Sequence, residues 1–244
     1  MSAVEDYRQR IYERYASVFK AGSAAIDEAA IDRWGSAYDA YLAGWLPASP
    51  DAVVLDVACG PGWLLRFFAK RGYRDVHGVD VSSEQVELAR RHCAQVEVGH
   101  LIPYLHARPG HFDLLTGFDI VEHLDKDEVL DFLDACHRAL RPGGRLVLQT
   151  PNADSPFAGT VRYGDFTHET CFTPALLVQL LALTGFGDPE CRETRPVARG
   201  AVSLVRAALW RCLRQLLRVW NLVETGSAGS GVLTRVFLVS AIRR

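Results

Sequence analysis

The segment Gly117-Phe118-Asp119-Ile120-Val121-Glu122-His123 follows the apolar run HFDLLT and delivers two carboxylates and an imidazole. A short apolar run of this kind reads as a buried strand. Past its end, Asp119, Glu122 and His123 are spaced so that all three can reach one point. The downstream stretch RYGDFTHETCFTP adds Asp165, His168 and Glu169. Asp119, Glu122, His123 and His168 together form a donor set suited to a divalent cation such as Mg²⁺ with open positions. Without a metal, His123 or His168 could serve as a base, with Glu122 beside them. A plainer alternative stands next to both: Glu122 and His123 only begin a helix and line a pocket wall.

A second constellation lies upstream in VLDVACGPGWLL. Gly60 and Gly62 permit a tight turn at a helix N-terminus, which suits a carboxylate or phosphate. Asp56 stands just before the turn, and Asp80 ends the next apolar run, 18 residues after Gly62. An acid in that place can accept both hydroxyls of a ribose. A dinucleotide fingerprint would need a third glycine where this chain has Leu65, and Pro61 stiffens the turn. Asp56 suits a cofactor with a cationic group and not a pyrophosphate.

These residues need elements to hold them. Residues 4 to 45 read as helical, with Ile11, Tyr15, Val18 and Phe19 on one face and Ile31, Trp34, Tyr38, Leu42 and Trp45 at helical spacing. From residue 53 short apolar runs alternate with helical stretches: VVLDVA, DVHGVDV, VEV, FDLLTGF and RLVLQT as strands, with a last strand at 232–241. Strands alternating with helices imply a mostly parallel sheet covered on both faces. The expected domains are an N-terminal helical cap over 1–50 and a cofactor-binding domain over 51–244, within which 195–231 forms a helical insertion and linker.

Over roughly residues 53 to 190 the chain resembles the class I S-adenosylmethionine-dependent methyltransferases. The resemblance rests on the Asp56-to-Gly62 loop, on Gly78-Val79-Asp80, on FDLLTGFDIVEHL and on LRPGGRLVLQTPN. It implies a doubly wound, seven-stranded Rossmann-like α/β sheet with the last strand antiparallel. It also implies that Asp56, Gly60 and Gly62 hold the amino-acid end of S-adenosylmethionine and that Asp80 holds its ribose. Ala58, Val81, His100, Leu101 and Phe118 complete the implied cofactor pocket. His100 stands where the family often carries an acid beside the adenine, which leaves that contact to Leu101 and a backbone group. The D-x-x-E-H pattern with a later histidine looks like that of ubiquinone-biosynthesis O-methyltransferases and of small-RNA 3′-terminal 2′-O-methyltransferases. Asp119 replaces their usual glutamate and is one methylene shorter. RYGDFTHE and the C-terminal insertion loosely resemble methyltransferases of polysaccharide biosynthesis.

The implied function is O-methylation of a hydroxyl on a small molecule or glycan, including a lipid-linked one, with divalent metal assistance as one option. A quinone-like phenol and an RNA 3′ end are the alternatives, and a cofactor-binding regulatory module is the non-enzyme reading. Composition sets limits on these. The 244 residues carry a net charge of −2, yet residues 192–218 hold seven arginines and one acid, leaving −8 elsewhere. An acidic body is a poor general binder of nucleic acid. Six scattered cysteines without a C-x-x-C pair fit reduced thiols. The charged start and the lack of an 18-residue apolar run point to a cytoplasmic protein without a signal peptide or membrane span.

The basic segment VSLVRAALWRCLRQLLRVWNLV, residues 202–223, reads as an amphipathic helix. Val202, Val205, Leu209, Leu213, Leu216 and Trp220 form a stripe, and Arg211, Arg214 and Arg218 lie opposite. Such a helix suits a lid over the substrate pocket, a homodimer seam, or a peripheral contact with an anionic inner-membrane surface.

Overall fold

Val54 and Leu55 are neighbours in sequence yet belong to opposite cores. The same alternation separates Leu114 from Leu115 and Val147 from Leu148, as a strand's two-residue period requires. The computed structural model describes residues 7–12 and 28–244. Its strands are β1 (Val53–Val57), β2 (Asp75–Asp80), β3 (Val96–Val98), β4 (Phe112–Phe118), β5 (Leu140–Pro151), β6 (Phe186–Glu193) and β7 (Val236–Arg243). They form one sheet in the order β3-β2-β1-β4-β5-β7-β6. The first five pair in parallel, whereas β7 runs antiparallel to both β5 and β6.

Helices α2 (Glu28–Tyr41), α3 (Trp63–Lys70) and α4 (Ser83–Ala89) cover one face through Tyr38, Leu65, Phe68 and Val86. Helices α5 (Leu101–His106), α6 (Lys126–Ala139) and α8 (Pro174–Leu183) cover the other through Leu105, Phe132, Leu133 and Leu177. Both faces of the sheet are therefore dry, which explains strands that are apolar nearly throughout. Local signals set the helix starts. Asp125 and Glu128 form a reciprocal capping box on α6, with bonds of 2.8 and 2.9 Å. Thr173 caps α8, and Pro174 occupies its first position.

The seven-stranded sheet and antiparallel last strand agree with expectation; several boundaries do not. Of the helical region expected over 4–45, α1 (Tyr7–Tyr12) and α2 are seen, while Tyr15, Val18 and Phe19 lie outside the described residues. The stretch FGDPECRE, which has no strand-like pattern, forms β6. It is an edge strand, its register shifts between Gly187 and Glu190, and Pro189 sits within that shift. Proline is tolerated at edges and bulges because no ladder donor is needed there. β5 starts at Leu140, five residues before the expected strand, because Leu140 already pairs with Phe112 and the RPGG turn is a bulge inside the strand. The last strand begins at Val236, not at residue 232.

Two further helices follow β5 and β6: the short α7 (Ala158–Arg162) and the long α9 (Ala201–Thr225). The parallel strands place the carboxyl ends of β1, β2, β4 and β5 at one rim. β6 ends and β7 begins at that same end of the sheet, so α9 springs from it. No described helix is long and apolar enough to cross a membrane.

Candidate active site

Beyond the rim lies a cleft of about 1880 Å³. Its walls include Asp56, Ala58, Gly60, Asp80, Val81, His100, Leu101, Phe118, Asp119, Glu122, His123 and His168, so nearly all the expected residues meet there. Gly62 is the exception. A Cβ at Gly62 would lie 2.9 Å from the Ala89 Cα, so this glycine lets α3 pack on α4 and does not face the cleft. A Cβ at Gly60 would meet no atom within 4 Å, so its glycine serves the backbone turn, at φ +52. Ala58 shares the left-handed region at φ +53. Such strain in a non-glycine residue persists where the surroundings impose it.

Asp80 is partly buried and accepts from the Gly60 amide at 2.9 Å and from the Ser82 amide at 2.8 Å. Each carboxylate oxygen is thereby anchored and keeps a lone pair for a further donor. Burial raises its pKa in spite of both bonds. Asp56 is only 3% exposed, and its Oδ1 accepts from Thr116 Oγ1 at 2.7 Å. Burial pushes its pKa up to about 7, with Thr116 opposing and the Asp80 charge adding to the rise. A desolvated carboxylate in a cleft wall favours a cationic ligand, which would restore its charge. The pair fits the ribose and ammonium ends of S-adenosylmethionine by donor chemistry. His100, at the N-cap of α5, makes no side-chain cap bond.

The rim after β4 is more strongly built. Asp119 adopts φ +53 and hands its amide to the Gln149 carbonyl at 2.9 Å. Gln149 Nε2 donates to both Asp119 oxygens at 3.0 and 3.2 Å, and Tyr38 donates to Gln149 Oε1 at 2.6 Å. Tyr38 also lies 5.3 Å from the Phe118 ring, so α2 braces this corner of the site. Next comes a 3₁₀ turn, Val121–His123, in place of the expected helix start. The Glu122 carbonyl accepts from the amides of Glu169 and Thr170 at 2.8 and 3.1 Å. That pair of bonds draws the downstream loop onto the turn and brings His168 to His123, with ring centroids 4.7 Å apart.

Glu122, His123 and His168 offer ligand atoms within 4.8 Å of one another. Asp119 falls outside this cluster, since its carboxylate is engaged by Gln149. The hydrogen bonds specify the imidazoles. Thr167 Oγ1 donates to Asp165 Oδ1 at 2.6 Å, so at 2.8 Å it accepts from His123 Nδ1–H. His168 Nδ1 faces the Val161 carbonyl at 3.0 Å and must donate to it. With Nδ1 as the donor in each ring, Nε2 is the nitrogen left to act as a ligand atom, the arrangement that outer partners impose on metal-binding histidines. Glu122 is 1% exposed and accepts from Thr150 Oγ1 at 3.0 Å. Burial, with the Asp119 charge adding to it, raises its pKa well above the usual carboxylate range.

Sequence reasoning passed over Thr116, Gln149, Thr150 and Thr167, and it treated Asp165 as an ordinary loop residue. All four lay within quoted stretches, Thr116 in FDLLTGF, Gln149 and Thr150 in LQTPN and Thr167 in RYGDFTHE, but nothing in the local sequence marked their side chains as partners of the site. Of the three roles open to residues 202–223, the lid over the pocket is not seen: no residue of α9 lines the cleft. Arg214 turns toward the body instead, reaching Glu193 at 3.2 Å and the Gly231 carbonyl at 2.8 Å.

Comparison with known proteins bears on this geometry. Residues 54–144 match the family model described as a methyltransferase domain. A ubiquinone biosynthesis O-methyltransferase of Psychrobacter cryohalolentis is 36% identical over 107 residues, covering 41% of this chain and 40% of that protein. One from Idiomarina loihiensis is 30% identical over 154 residues, covering 55% and 61%. The chain thus spans between two fifths and three fifths of the length of these relatives. In fold, it is similar to a SAM-dependent methyltransferase from Archaeoglobus fulgidus, with a TM-score of 0.65 and 21% identity over 98% of this chain and all of that one. A geranyl diphosphate C-methyltransferase from Streptomyces coelicolor, solved with Mg²⁺, geranyl diphosphate and S-adenosyl-L-homocysteine, also gives 0.65, at 15% identity over 99% of this chain and all of that one. With its glycine turn and two acids at the strand ends, the chain is similar to a methyltransferase domain over residues 54–144 and shares the fold of these S-adenosylmethionine-dependent methyltransferases.

Proposed function

We propose that this protein methylates a hydroxyl oxygen of a small molecule with a flat apolar face, such as a phenolic ring or one side of a sugar. The observation that carries the reading is the cluster of buried Glu122 and His123 with the half-buried His168, in the same cleft as Asp56 and Asp80. S-adenosylmethionine would supply an activated methyl on a sulfonium, so the acceptor and not the donor needs help. Asp56 receives the ammonium end, and Asp80 receives the ribose hydroxyls on the lone pairs its backbone anchors leave over. Trp34, Phe118 and Ile120 add apolar surface to the cleft walls.

A hydroxyl has a pKa well above 7 and is a weak nucleophile. A divalent cation on Glu122, His123 and His168 would supply Lewis acidity to such a hydroxyl. The two Nε2 lone pairs beside one buried carboxylate favour a cation over a simple base. Tyr163 and Phe166 line the cleft and stay exposed, offering rings for a planar acceptor to stack on. Asp119, Glu128, Asp131 and Asp165 on the walls would repel a polyphosphate, which disfavours an RNA end. The named relatives act in ubiquinone biosynthesis, which supports a phenolic acceptor over a glycan.

Methyl transfer from labelled S-adenosylmethionine to catechols, phenols and sugars, with chelator and with Mg²⁺ or Mn²⁺ restored, tests the reading. Turnover abolished by chelator and regained with metal is expected. Full turnover in chelator, unchanged in His168→Ala, would reject the metal role. Tight cofactor binding without turnover on any hydroxyl acceptor would favour the regulatory module.

A further inference from the structure

α9 turns an apolar face outward. Only Ala207 of its 25 residues is buried. Ser203, Ala207, Trp210, Arg214, Leu217 and Asn221, repeating at three- and four-residue steps, are its less exposed side and face the body. On the outward side, Val205, Leu209, Leu213, Leu216, Trp220 and Val223 remain 52% to 82% exposed. At about 100° per residue these six fall within about 80°, and the exposed Leu204, Val219 and Leu222 widen the arc to roughly half the circumference. Large contiguous apolar surfaces of this kind mark interaction sites. The edges of the arc are cationic, with Arg206 on one side and Arg211 on the other. No acid occurs between Glu193 and Glu224.

We infer that α9 lies in the surface of an anionic lipid bilayer, with its apolar arc in the acyl boundary and Arg206 and Arg211 reaching up to the headgroups. The charge pattern selects this occupant. Two copies joined through the same arc would bring the arginine edges of both helices together with no acid on the helix between its ends to answer them. A bilayer with anionic headgroups meets both properties, apolar depth and negative charge at the edges. Long arginine stems permit this reach. The arginines opposite the arc are not the contacts: Arg214 is held by Glu193 and Gly231.

The attachment also orients the enzyme. α9 leaves the sheet after β6, at the rim that carries the cleft, so docking brings that rim to the lipid. Resting on the methyl-transfer reading above, this assigns the acceptor to apolar compounds dissolved in the membrane.

Full-length protein is floated with vesicles of phosphatidylcholine alone or with 40% phosphatidylglycerol, at low and high salt. The expected result is binding to anionic vesicles that weakens severalfold at high salt, since screening acts over about 8–10 Å at physiological strength. Leu209→Asp with Leu216→Asp should abolish binding, and Arg206→Gln with Arg211→Gln should weaken it by about tenfold. Both variants should keep wild-type affinity for S-adenosylhomocysteine, which shows that the domain remains folded. Equal binding to neutral vesicles without salt dependence would overturn the charge assignment. No binding to any vesicle would overturn the proposal, and a dimer split by the leucine variant would then identify a second copy as the occupant. Flotation reads docking independently of turnover: anionic binding without activity on apolar phenols would leave the docking intact and reject the acceptor reading.

Discussion

Replacing Thr167 with valine removes one hydroxyl and keeps the shape of a fully buried side chain. In the native site that hydroxyl donates to Asp165 at 2.6 Å and accepts from His123 Nδ1–H at 2.8 Å. Asp165 keeps a bond from the Thr167 amide at 2.9 Å, so the carboxylate is not stranded. The loss falls on the imidazole, whose Nδ1–H loses this acceptor. Hydrogen bonds in such places contribute about 0.5–1.5 kcal/mol between neutral groups and about 1.5–3 kcal/mol to charged ones. The two together predict a stability loss of about 1–3 kcal/mol, readable as a lower urea midpoint. The functional loss should be larger in relative terms. Removing an outer partner of a metal-binding histidine lowers metal affinity or activity by about 10- to 100-fold. Mn²⁺ titration and methyl transfer measure this, and long-range ¹H–¹⁵N NMR of His123 reports which ring nitrogen holds the proton. Thr167→Ser, which keeps the hydroxyl, should recover most of the loss. A folded Thr167→Val protein with native Mn²⁺ affinity and an unchanged His123 tautomer would refute the relay.

Other expectations follow from the same geometry. Because Asp56 has a folded pKa of about 7, above its unfolded value, the folded chain holds an extra proton between about pH 4 and 7. Its contribution to stability therefore falls as pH rises through that window, by up to about 4 kcal/mol. Asp56→Asn should flatten that fall in urea midpoints and weaken S-adenosylmethionine binding; parallel wild-type and variant pH curves would contradict it. Asp80→Ala should weaken S-adenosylhomocysteine by about 1.5–3 kcal/mol in isothermal titration, and native affinity would remove Asp80 from the cofactor site. Gly62→Ala should cost about 2–5 kcal/mol of stability, combining left-handed strain with overpacking against Ala89. Gly60→Ala meets no neighbour and should cost only about 1–2 kcal/mol, so equal losses at the two glycines would invalidate the packing argument.

Much of this protein was legible in local patterns. Continuous short apolar runs, proline and glycine stops, and helix caps such as Thr173-Pro174 act within a few residues, so they specify strands, helices and their order before any packing. The Asp56-to-Gly62 turn and Asp80 were legible for the same reason: the cofactor loop is one continuous stretch with a fixed spacing. β6 was not, because an edge strand with Pro189 in a bulge lacks both the continuous apolar run and the β-branched residues of a buried one. The cluster of Glu122, His123 and His168 was half legible. Glu122 and His123 are adjacent in sequence, but His168 reaches them only because the Glu122 carbonyl captures the amides of Glu169 and Thr170. Asp119 stands outside the cluster because Gln149, on β5, holds both of its carboxylate oxygens. For α9 the periodicity showed two faces and could not say which one met the protein. Tertiary contacts decided that, because Arg214 found Glu193 and Gly231 on the body and left the apolar arc outside.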